Sequence, residues 1–298
     1  MDSPEDGIRS LMTQHYDPTR EGPTERYLDD FRGKRFDDAT IAERFHENTK
    51  ITAYNKHKPE RSATTFVEDD AFQFAVERIR PDYAGRERLS LPDPDEEPSR
   101  AGLFGTLRRR RSVRDYDTSE SMSVETLSNL LYHTASTSRI DGEKALRRYP
   151  SAGAHYPVET YFHLSAEIGH LDPGTYYYVP EDHELQVVVD CDAERVRDLF
   201  ADADSFDYLQ PELSVFPTAA FWRSYAKYGP RAYRYVLQEV GHLAQNLQLV
   251  ATALGLGAIP RAGYLDGQVN DHLGLDGVNE AVVSAISVGS TNEVTRGR

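Results

Sequence analysis

The sequence predicts an α+β fold, and three observations support this. Strand-like runs rich in Val, Ile, Tyr and Phe are spread over the second half of the chain, a long amphipathic helix lies among them, and the two kinds of element do not alternate regularly. A doubly wound parallel sheet would show regular alternation, so an α+β arrangement fits better. The 298 residues allow one large domain or two smaller ones.

Hydrophobic periodicity predicts the individual elements. The clearest is a helix over 232–254, whose apolar residues recur at helical spacing and which Gly255 or Gly257 would end. A second helix over 123–137 has Ser123 as its N-cap. The remaining predictions are helices at 39–50, 70–80 and 192–203, strands at 158–165, 213–222 and 280–289, and a hairpin over 174–190.

The stretch 89–105 is rich in proline and acidic residues, which is typical of a linker. We therefore expect two parts. A partly helical N-terminal arm, ending in this linker, would cover residues 1–105, and a main domain would cover residues 106–298. We expect the arm to pack on the main domain or on a partner.

The charge balance limits the classes of partner. The chain has 49 acidic and 34 basic residues and a formal net charge of -15. The long-range field repels phosphate backbones, which argues against general nucleic-acid binding. Only six of the basic residues are Lys, and an acidic, Lys-poor surface suits a high-salt cytoplasm, where salt screens the self-repulsion.

Cysteine usage and hydropathy suggest a cytoplasmic protein. The single cysteine, Cys191, excludes an internal disulfide and a zinc site built on several cysteines. The N-terminus lacks the apolar core of a secretory signal, and no uncharged run is long and apolar enough to span a membrane. The ten His contain no HExxH pair, so no metal site is predicted.

Arginines are concentrated at one point of this acidic chain. Arg108, Arg109, Arg110, Arg111 and Arg114 fall within seven positions and repel one another unless an anion binds there. The planar guanidinium grips phosphate oxygens with two hydrogen bonds, so a terminal phosphate is a good candidate. A solvated basic run that closes the linker is the alternative, and it is favoured for the first two arginines.

Four sequence blocks occur in an order that resembles one family. They are RRSVRDY (110–116), RYPSAGAHYPVETY (148–161), the long run from FWRSYAKYG to ALGLG (221–257) and ISVGS (286–290). The chain resembles the SagB-type dehydrogenases, the azoline-oxidising branch of the FMN-dependent nitroreductase superfamily. The resemblance covers roughly residues 106–298.

The resemblance implies an FMN protein that folds as a nitroreductase-like sheet wrapped by helices and forms an interlocked homodimer. It implies that Lys227 and Tyr228 are catalytic and that the product is a thiazole or oxazole in a peptide supplied by a cyclodehydratase. Residues implied to contact the phosphate and ribityl chain are Arg110, Arg111, Ser112 and Arg114, with Arg296 and Arg298 assisting. Residues implied to line the isoalloxazine edge are Pro150, Ser151, Ala152 and Gly153.

The residues themselves leave alternatives open. Lys227 is the only Lys after Lys144, and Lys, unlike Arg, can give up its proton; otherwise Lys227 lies along neighbouring tyrosines at an interface. The Pro-Ser-Ala-Gly block is either a flavin contact or an ordinary turn. Gln245 and Asn246, expected to be buried amides, either contact flavin or a second subunit, or bond helices together in the core, which is favoured.

Two other functions compete with azoline oxidation. One is an NAD(P)H-dependent flavin oxidoreductase of the nitroreductase type that acts on a small molecule. The other is a docking subunit of a peptide-modifying complex without its own activity.

Overall fold

The computed structural model describes residues 41–51, 81, 83, 85–117, 119, 121–142, 144–191, 193–201 and 211–291. The chain divides into two compact units, 1–51 and 52–298, so the predicted boundary at residue 105 lies inside the second unit. In the first unit the structure describes one helix, α1 (Ile41–Asn48). The helix predicted at 70–80 lies outside the described residues.

The second unit is built on an antiparallel sheet. The strands are β1 (Arg88–Ser90), β2 (Thr137–Asp141), β3 (Lys144–Arg147), β4 (Val158–Leu164), β5 (Gly174–Val179), β6 (Glu184–Val189), β7 (Leu213–Ala220), β8 (Leu256–Arg261), β9 (Glu280–Val282) and β10 (Ala285–Ser290). Their order in the sheet is β1-β6-β5-β4-β7-β10-β8, with β9 pairing with β7, and β2 and β3 form a separate hairpin. Every pairing between these strands is antiparallel.

Helices cover both faces of this sheet. They are α2 (Leu103–Arg109), α3 (Val124–Ala135), α4 (Ala193–Arg197), α5 (Phe221–Tyr228), α6 (Ala232–Ala253) and α7 (Asp266–Leu273). Side chains of α3 and α6 pack on one face around Phe162, and side chains of α7 and the α4 region pack on the other around Tyr161. Because neighbouring strand residues point to opposite faces, β4 is buried along its whole length. The predicted α+β class is confirmed.

Most predicted elements lie within a few residues of the observed ones. Ser123 caps α3 by accepting a hydrogen bond from the Thr126 N–H (3.2 Å). The helix α6 ends at Ala253, with Leu254 as its C-cap. Gly255 follows with a φ of 84°, a value that favours glycine, so the predicted end of this helix is confirmed.

Two predictions about strands were wrong or incomplete. The single strand predicted at 280–289 is two strands, because β9 pairs with the end of β7 and β10 pairs with its beginning. The strand β8 was not predicted, since its glycine and Pro260 are typical of a loop. It lies next to β10 at the end of the sheet.

The predicted linker is partly ordered against the main body. It begins in β1 at the sheet edge, and the Ser128 hydroxyl of α3 donates to the Pro92 carbonyl (2.6 Å). Among the described residues, no helix has the length and apolar content needed to cross a bilayer.

Candidate functional site

A stripe of polar side chains on α6 supports the candidate site. Helix geometry places residues at spacings of four, three and four on one side of the helix. Three members of the stripe contact the segment 148–158, and the fourth contacts the end of α5. We call these four residues the polar stripe: Tyr235, Glu239, His242 and Asn246.

The contacts of the polar stripe run in order along the helix. Asn246 donates to the Arg148 carbonyl (3.2 Å) and the His242 Nδ1–H to the Pro150 carbonyl (3.1 Å). Glu239 accepts from the Val158 N–H (3.3 Å) and hydrogen-bonds to Ser151. The Tyr235 ring meets the Tyr228 ring edge to face, with centroids 5.1 Å apart. One helix therefore fixes both the Pro-Ser-Ala-Gly segment and the end of α5.

Residues 150–156 form a tight turn with an unusual backbone. We call it the 150–156 turn. Gly153, Ala154 and Tyr156 have φ values of 66°, 55° and 45°. Such values are costly for side-chain-bearing residues and persist only where the surroundings impose them. Here the Ser151 hydroxyl oxygen accepts the Tyr156 N–H (3.0 Å), which closes the turn.

Gly153 lies against the two residues predicted to be catalytic. A Cβ atom at position 153 would be 2.5 Å from the Tyr228 Oη, 3.2 Å from the Lys227 Nζ and 3.1 Å from the His155 Nε2. Only glycine fits this point, both for space and for φ. The structure thus brings together the Pro-Ser-Ala-Gly segment and the Lys-Tyr pair, which are far apart in sequence.

A buried charge cluster anchors α5 beneath this contact. Arg223 is 1% exposed, forms an ion pair with Glu159 and donates to the Tyr156 carbonyl (3.1 Å). Arg147 binds the other carboxylate oxygen of Glu159 (3.0 Å). The His155 Nδ1–H donates to the Arg223 carbonyl (3.0 Å). These bonds hold α5 and the 150–156 turn in a fixed relation, since a buried ion cannot lose its partner cheaply.

Burial and neighbouring charges shift several pKa values at the site. Burial, with the like charge of Lys144, lowers the pKa of Lys227. Burial and the Lys227 ammonium lower the pKa of His155 to about 4. Burial raises the pKa of Glu239 to about 7 and also raises that of Tyr228. At neutral pH His155 is uncharged. A larger fraction of Lys227 is then in the neutral amine form than for a lysine in water.

The arginines of residues 108–114, which we call the arginine block, lie at the end of α2, next to β8. Arg110 donates to the Oε1 of Gln248 on α6 (3.3 Å). Ser112 bridges to Ala258, and the buried Val113 packs so closely on Gly257 that a Cβ there would be 2.6 Å from it. Arg111, Ser112 and Arg114 are exposed. Arg296 and Arg298 lie outside the described residues.

The arginine block and the 150–156 turn approach α6 from different sides. Asn246 and Gln248 are two residues apart, which is a rotation of about 200° around the helix. The helix surface between these two sides is exposed and includes Gln245. The expectation that Gln245 is a buried amide was wrong, because its position falls on this outer face; the buried amide is Gln248.

Comparison with known proteins assigns the chain to a family. Residues 107–290 match the Nitroreductase family. The chain belongs to the nitroreductase family. A protein of Methanocaldococcus jannaschii named as nitroreductase MJ1384 is 34% identical over 185 residues, which are 62% of this chain and 88% of that protein.

Two further relatives of this nitroreductase-family chain have names that refer to peptide processing. The microcin B17-processing protein McbC of Escherichia coli is 32% identical over 158 residues, 52% of this chain and 57% of McbC. The trifolitoxin-processing protein TfxB of Rhizobium leguminosarum is 30% identical over 186 residues, 56% of this chain and 47% of TfxB. The chain thus spans about half the length of these two relatives.

Solved structures agree on the nitroreductase fold. A nitroreductase-type protein of Ralstonia eutropha has a TM-score of 0.57 at 25% identity, covering 71% of this chain and 93% of its own. The Escherichia coli microcin synthetase McbBCD complex with truncated pro-MccB17 contains a chain with a TM-score of 0.54 at 24% identity, covering 95% of this chain and 97% of that one.

Sequence reasoning missed several residues that build this candidate site. Glu239 lies within the apolar periodicity of the predicted helix 232–254, Arg223 follows Phe221 and Trp222, and Glu159 lies inside a predicted strand. A charged residue at such a position is a usable signal of a buried ion pair or a functional group. The link between His155 and Arg223 has no sequence signal, because it depends on how two distant segments meet. Among the described residues, no cluster of three or more His, Cys, Asp or Glu could hold a metal ion.

Proposed function

We propose that the protein is an FMN-dependent dehydrogenase that oxidises thiazoline or oxazoline rings in peptides to thiazoles or oxazoles. The observation that carries the proposal is the contact of Lys227 and Tyr228 with Gly153. Lys227 and Tyr228 can exchange a proton with a substrate. Their contact with Gly153 places them beside the backbone of the 150–156 turn, which we propose lies along the flavin ring.

The described residues suit an FMN on two counts. Ser112 and the exposed side chains of Arg111 and Arg114 offer a hydroxyl and permanent positive charge to a phosphate. Gly153 lets the backbone of the turn approach the Lys227 amine and the Tyr228 hydroxyl, so an isoalloxazine edge bound along this backbone would lie beside the Lys–Tyr pair. We propose that Arg110 also binds the phosphate. Pro150, Ser151 and Ala152 would line the isoalloxazine edge together with Gly153. Arg296 and Arg298 stay predictions.

Lys227 is the proposed base of the reaction. Aromatisation of an azoline removes one proton and one hydride from the ring, and a bound flavin supplies the hydride acceptor. The Lys227 Nζ takes the proton, which its lowered pKa makes easier near neutral pH. Tyr228 keeps its proton because burial raises its pKa, and it orients the Lys227 amine and the substrate. His155, neutral above a pKa of about 4, adds no positive charge beside the amine.

The arrangement around α6 supports a homodimer. The arginine block and the 150–156 turn flank an exposed helix face from opposite sides, and a second copy packed on this face would complete each cofactor site with residues of both chains. The exposed apolar residue Leu237 (45%) of α6 is suited to such an interface. Gln245 on this face would then contact the cofactor or the second copy.

The names of two relatives support a peptide substrate. McbC and TfxB are named for processing microcin B17 and trifolitoxin. We therefore propose that this chain acts on a modified peptide, together with a cyclodehydratase that forms the azoline ring.

The test compares the purified full-length protein with its Lys227→Ala variant on a synthetic peptide thiazoline. The wild-type protein should carry a flavin spectrum and remove two hydrogen atoms from the peptide, as measured by mass spectrometry. Lys227→Ala should keep the flavin spectrum and lose this reaction. Turnover of Lys227→Ala at the wild-type rate would exclude the base, and a protein that cannot be loaded with FMN would favour a docking subunit.

A second candidate is an NAD(P)H-dependent oxidoreductase that acts on a small molecule. It is favoured by the 34% identity with the Methanocaldococcus jannaschii protein, whose length the match covers to 88%. Stopped-flow measurement of flavin reduction separates the two candidates. Rapid reduction by NADH but not by the peptide thiazoline would select the second.

A further inference from the structure

We propose that a pocket beside the 150–156 turn binds a carboxylate of the peptide substrate. This inference rests on the proposed function and adds a recognition site to it. The pocket has a volume of about 390 Å³ and lies between the β2–β3 hairpin and the turn. Its lining residues are Ser138, Arg139, Leu146, Arg147, Arg148, Tyr149, Pro150 and Tyr156.

The charge of the lining selects an anion. Three of the eight lining residues are Arg and none is Asp or Glu, in a chain with a net charge of -15. Arg147 is already paired inside the protein with Glu159 (3.0 Å). Arg139 and Arg148 remain, and within the described part of the chain no carboxylate lies within 4.0 Å of either guanidinium.

Arg148 is held ready for a ligand. Its guanidinium lies over the Tyr132 ring, 4.2 Å from the centroid, and its Nε donates to the Ser136 hydroxyl (2.9 Å). These contacts fix the plane of the guanidinium group, and within the described part of the chain its terminal nitrogens donate no other hydrogen bond. Arg139 is exposed on β2, opposite Leu146 of β3. Two guanidinium groups can share one carboxylate through charge-assisted hydrogen bonds, which are the strong ones.

The pocket is placed to position a substrate for the proposed reaction. Pro150 and Tyr156, at the two ends of the turn, line it, while Gly153 in the middle of the turn contacts Lys227 and Tyr228. A peptide with its carboxylate in the pocket would have its neighbouring residues beside the turn. The carboxylate belongs to an acidic side chain or to the peptide C-terminus.

The test measures binding by calorimetry on the full-length, flavin-loaded protein and does not require turnover. The probes are a capped glycine peptide with one central Glu, the same peptide with Gln, and the Gln peptide with a free C-terminal carboxylate. The wild-type protein should bind a carboxylate-bearing probe about tenfold more tightly than the capped Gln peptide. Which probe gains shows the source of the carboxylate.

Arg139→Gln and Arg148→Gln should each remove this preference, and Arg108→Gln, which removes the same charge from α2, should keep it. If Arg148→Gln fails to fold, as judged by thermal unfolding, the exposed Arg139→Gln still decides the question.

The proposal is overturned if no probe binds, if all bind equally, or if the preference survives in both variants. Two further results would overturn it, because each would show that the pocket serves the cofactor. One is displacement of the peptide by inorganic phosphate at equal concentration, and the other is loss of flavin absorbance in the pocket variants. Failure of the proposed function would appear separately, as an absence of azoline oxidation by the wild-type protein.

Discussion

Gly153 lies so close to Tyr228 that a Cβ atom at position 153 would be 2.5 Å from the phenol oxygen. The two residues belong to a turn and a helix that share no sequence signal, and the buried Arg223 ties those elements together. The contact makes the shape of the turn and the position of the proposed base mutually dependent.

Gly153→Ala should therefore lower azoline oxidation sharply while the fold survives. The new methyl group would displace Tyr228 and Lys227, and the φ of 66° adds strain of roughly 1 kcal/mol. The measurements are kcat by mass spectrometry and Tm. Gly267→Ala in α7 is a suitable control, since a Cβ there would have no neighbour within 4 Å. Equal activity in both variants would show that the close contact has no part in catalysis.

Lys144→Gln should move the acidic limb of the pH–kcat/KM profile to higher pH. Lys144 is a like charge that helps to lower the pKa of Lys227, so its removal raises that pKa and leaves less neutral amine at neutral pH. The rate near neutral pH should fall and should recover in more alkaline buffer. Arg88→Gln, on the edge strand β1, removes the same charge and should leave the limb in place, since Arg88 has no part in lowering the pKa of Lys227. An unchanged limb in Lys144→Gln would mean that the limb does not report Lys227.

Arg110→Gln should weaken FMN retention by about tenfold, the usual effect of losing a charge-assisted hydrogen bond. Equilibrium dialysis followed by absorbance of the bound flavin measures this. Arg108→Gln, in the part of the block predicted to be solvated, is the control and should retain FMN. Equal retention in the two variants would contradict a phosphate site at Arg110.

Glu239→Gln should change how stability depends on pH. Burial raises the pKa of Glu239 in the folded protein to about 7 from its ordinary value of 4.5, so the folded state binds the proton more tightly than the unfolded state. The free energy of unfolding therefore falls as pH rises between these two values, by about 3 kcal/mol from this group alone. Urea unfolding across this range should show that Glu239→Gln lacks this part of the decline. Parallel curves for the two proteins would show that Glu239 titrates normally.

The sequence predicted the parts of the fold that depend on local patterns. The helix α3 has a capping serine and regular apolar spacing, and the hairpin β5–β6 has two β-rich runs around a short turn, so both were predicted within a few residues. The strand β8 was missed because glycine and proline are unfavourable in isolated strands, and its pairing with β10 overrides that preference.

The candidate site was predictable only where residue chemistry was unusual. Lys227 stood out because it is one of six Lys among 34 basic residues. Gln245 was misjudged, because an amide in an apolar helix looks buried until the rotation of that helix relative to the core is known. Glu239, on the same helix, was overlooked although it is 2% exposed; its bonds to Ser151 and Val158 come from segments far away in the chain.

The polar stripe on α6 has a consequence for how this chain tolerates changes in length. Each inserted or deleted residue turns the rest of a helix by about 100°. A single such change between Tyr235 and Asn246 would aim some of the four side chains at the turn and the others at solvent. Insertions and deletions should therefore be tolerated only outside this stretch of α6, because the number of residues between Tyr235 and Asn246 sets which segments the helix can hold.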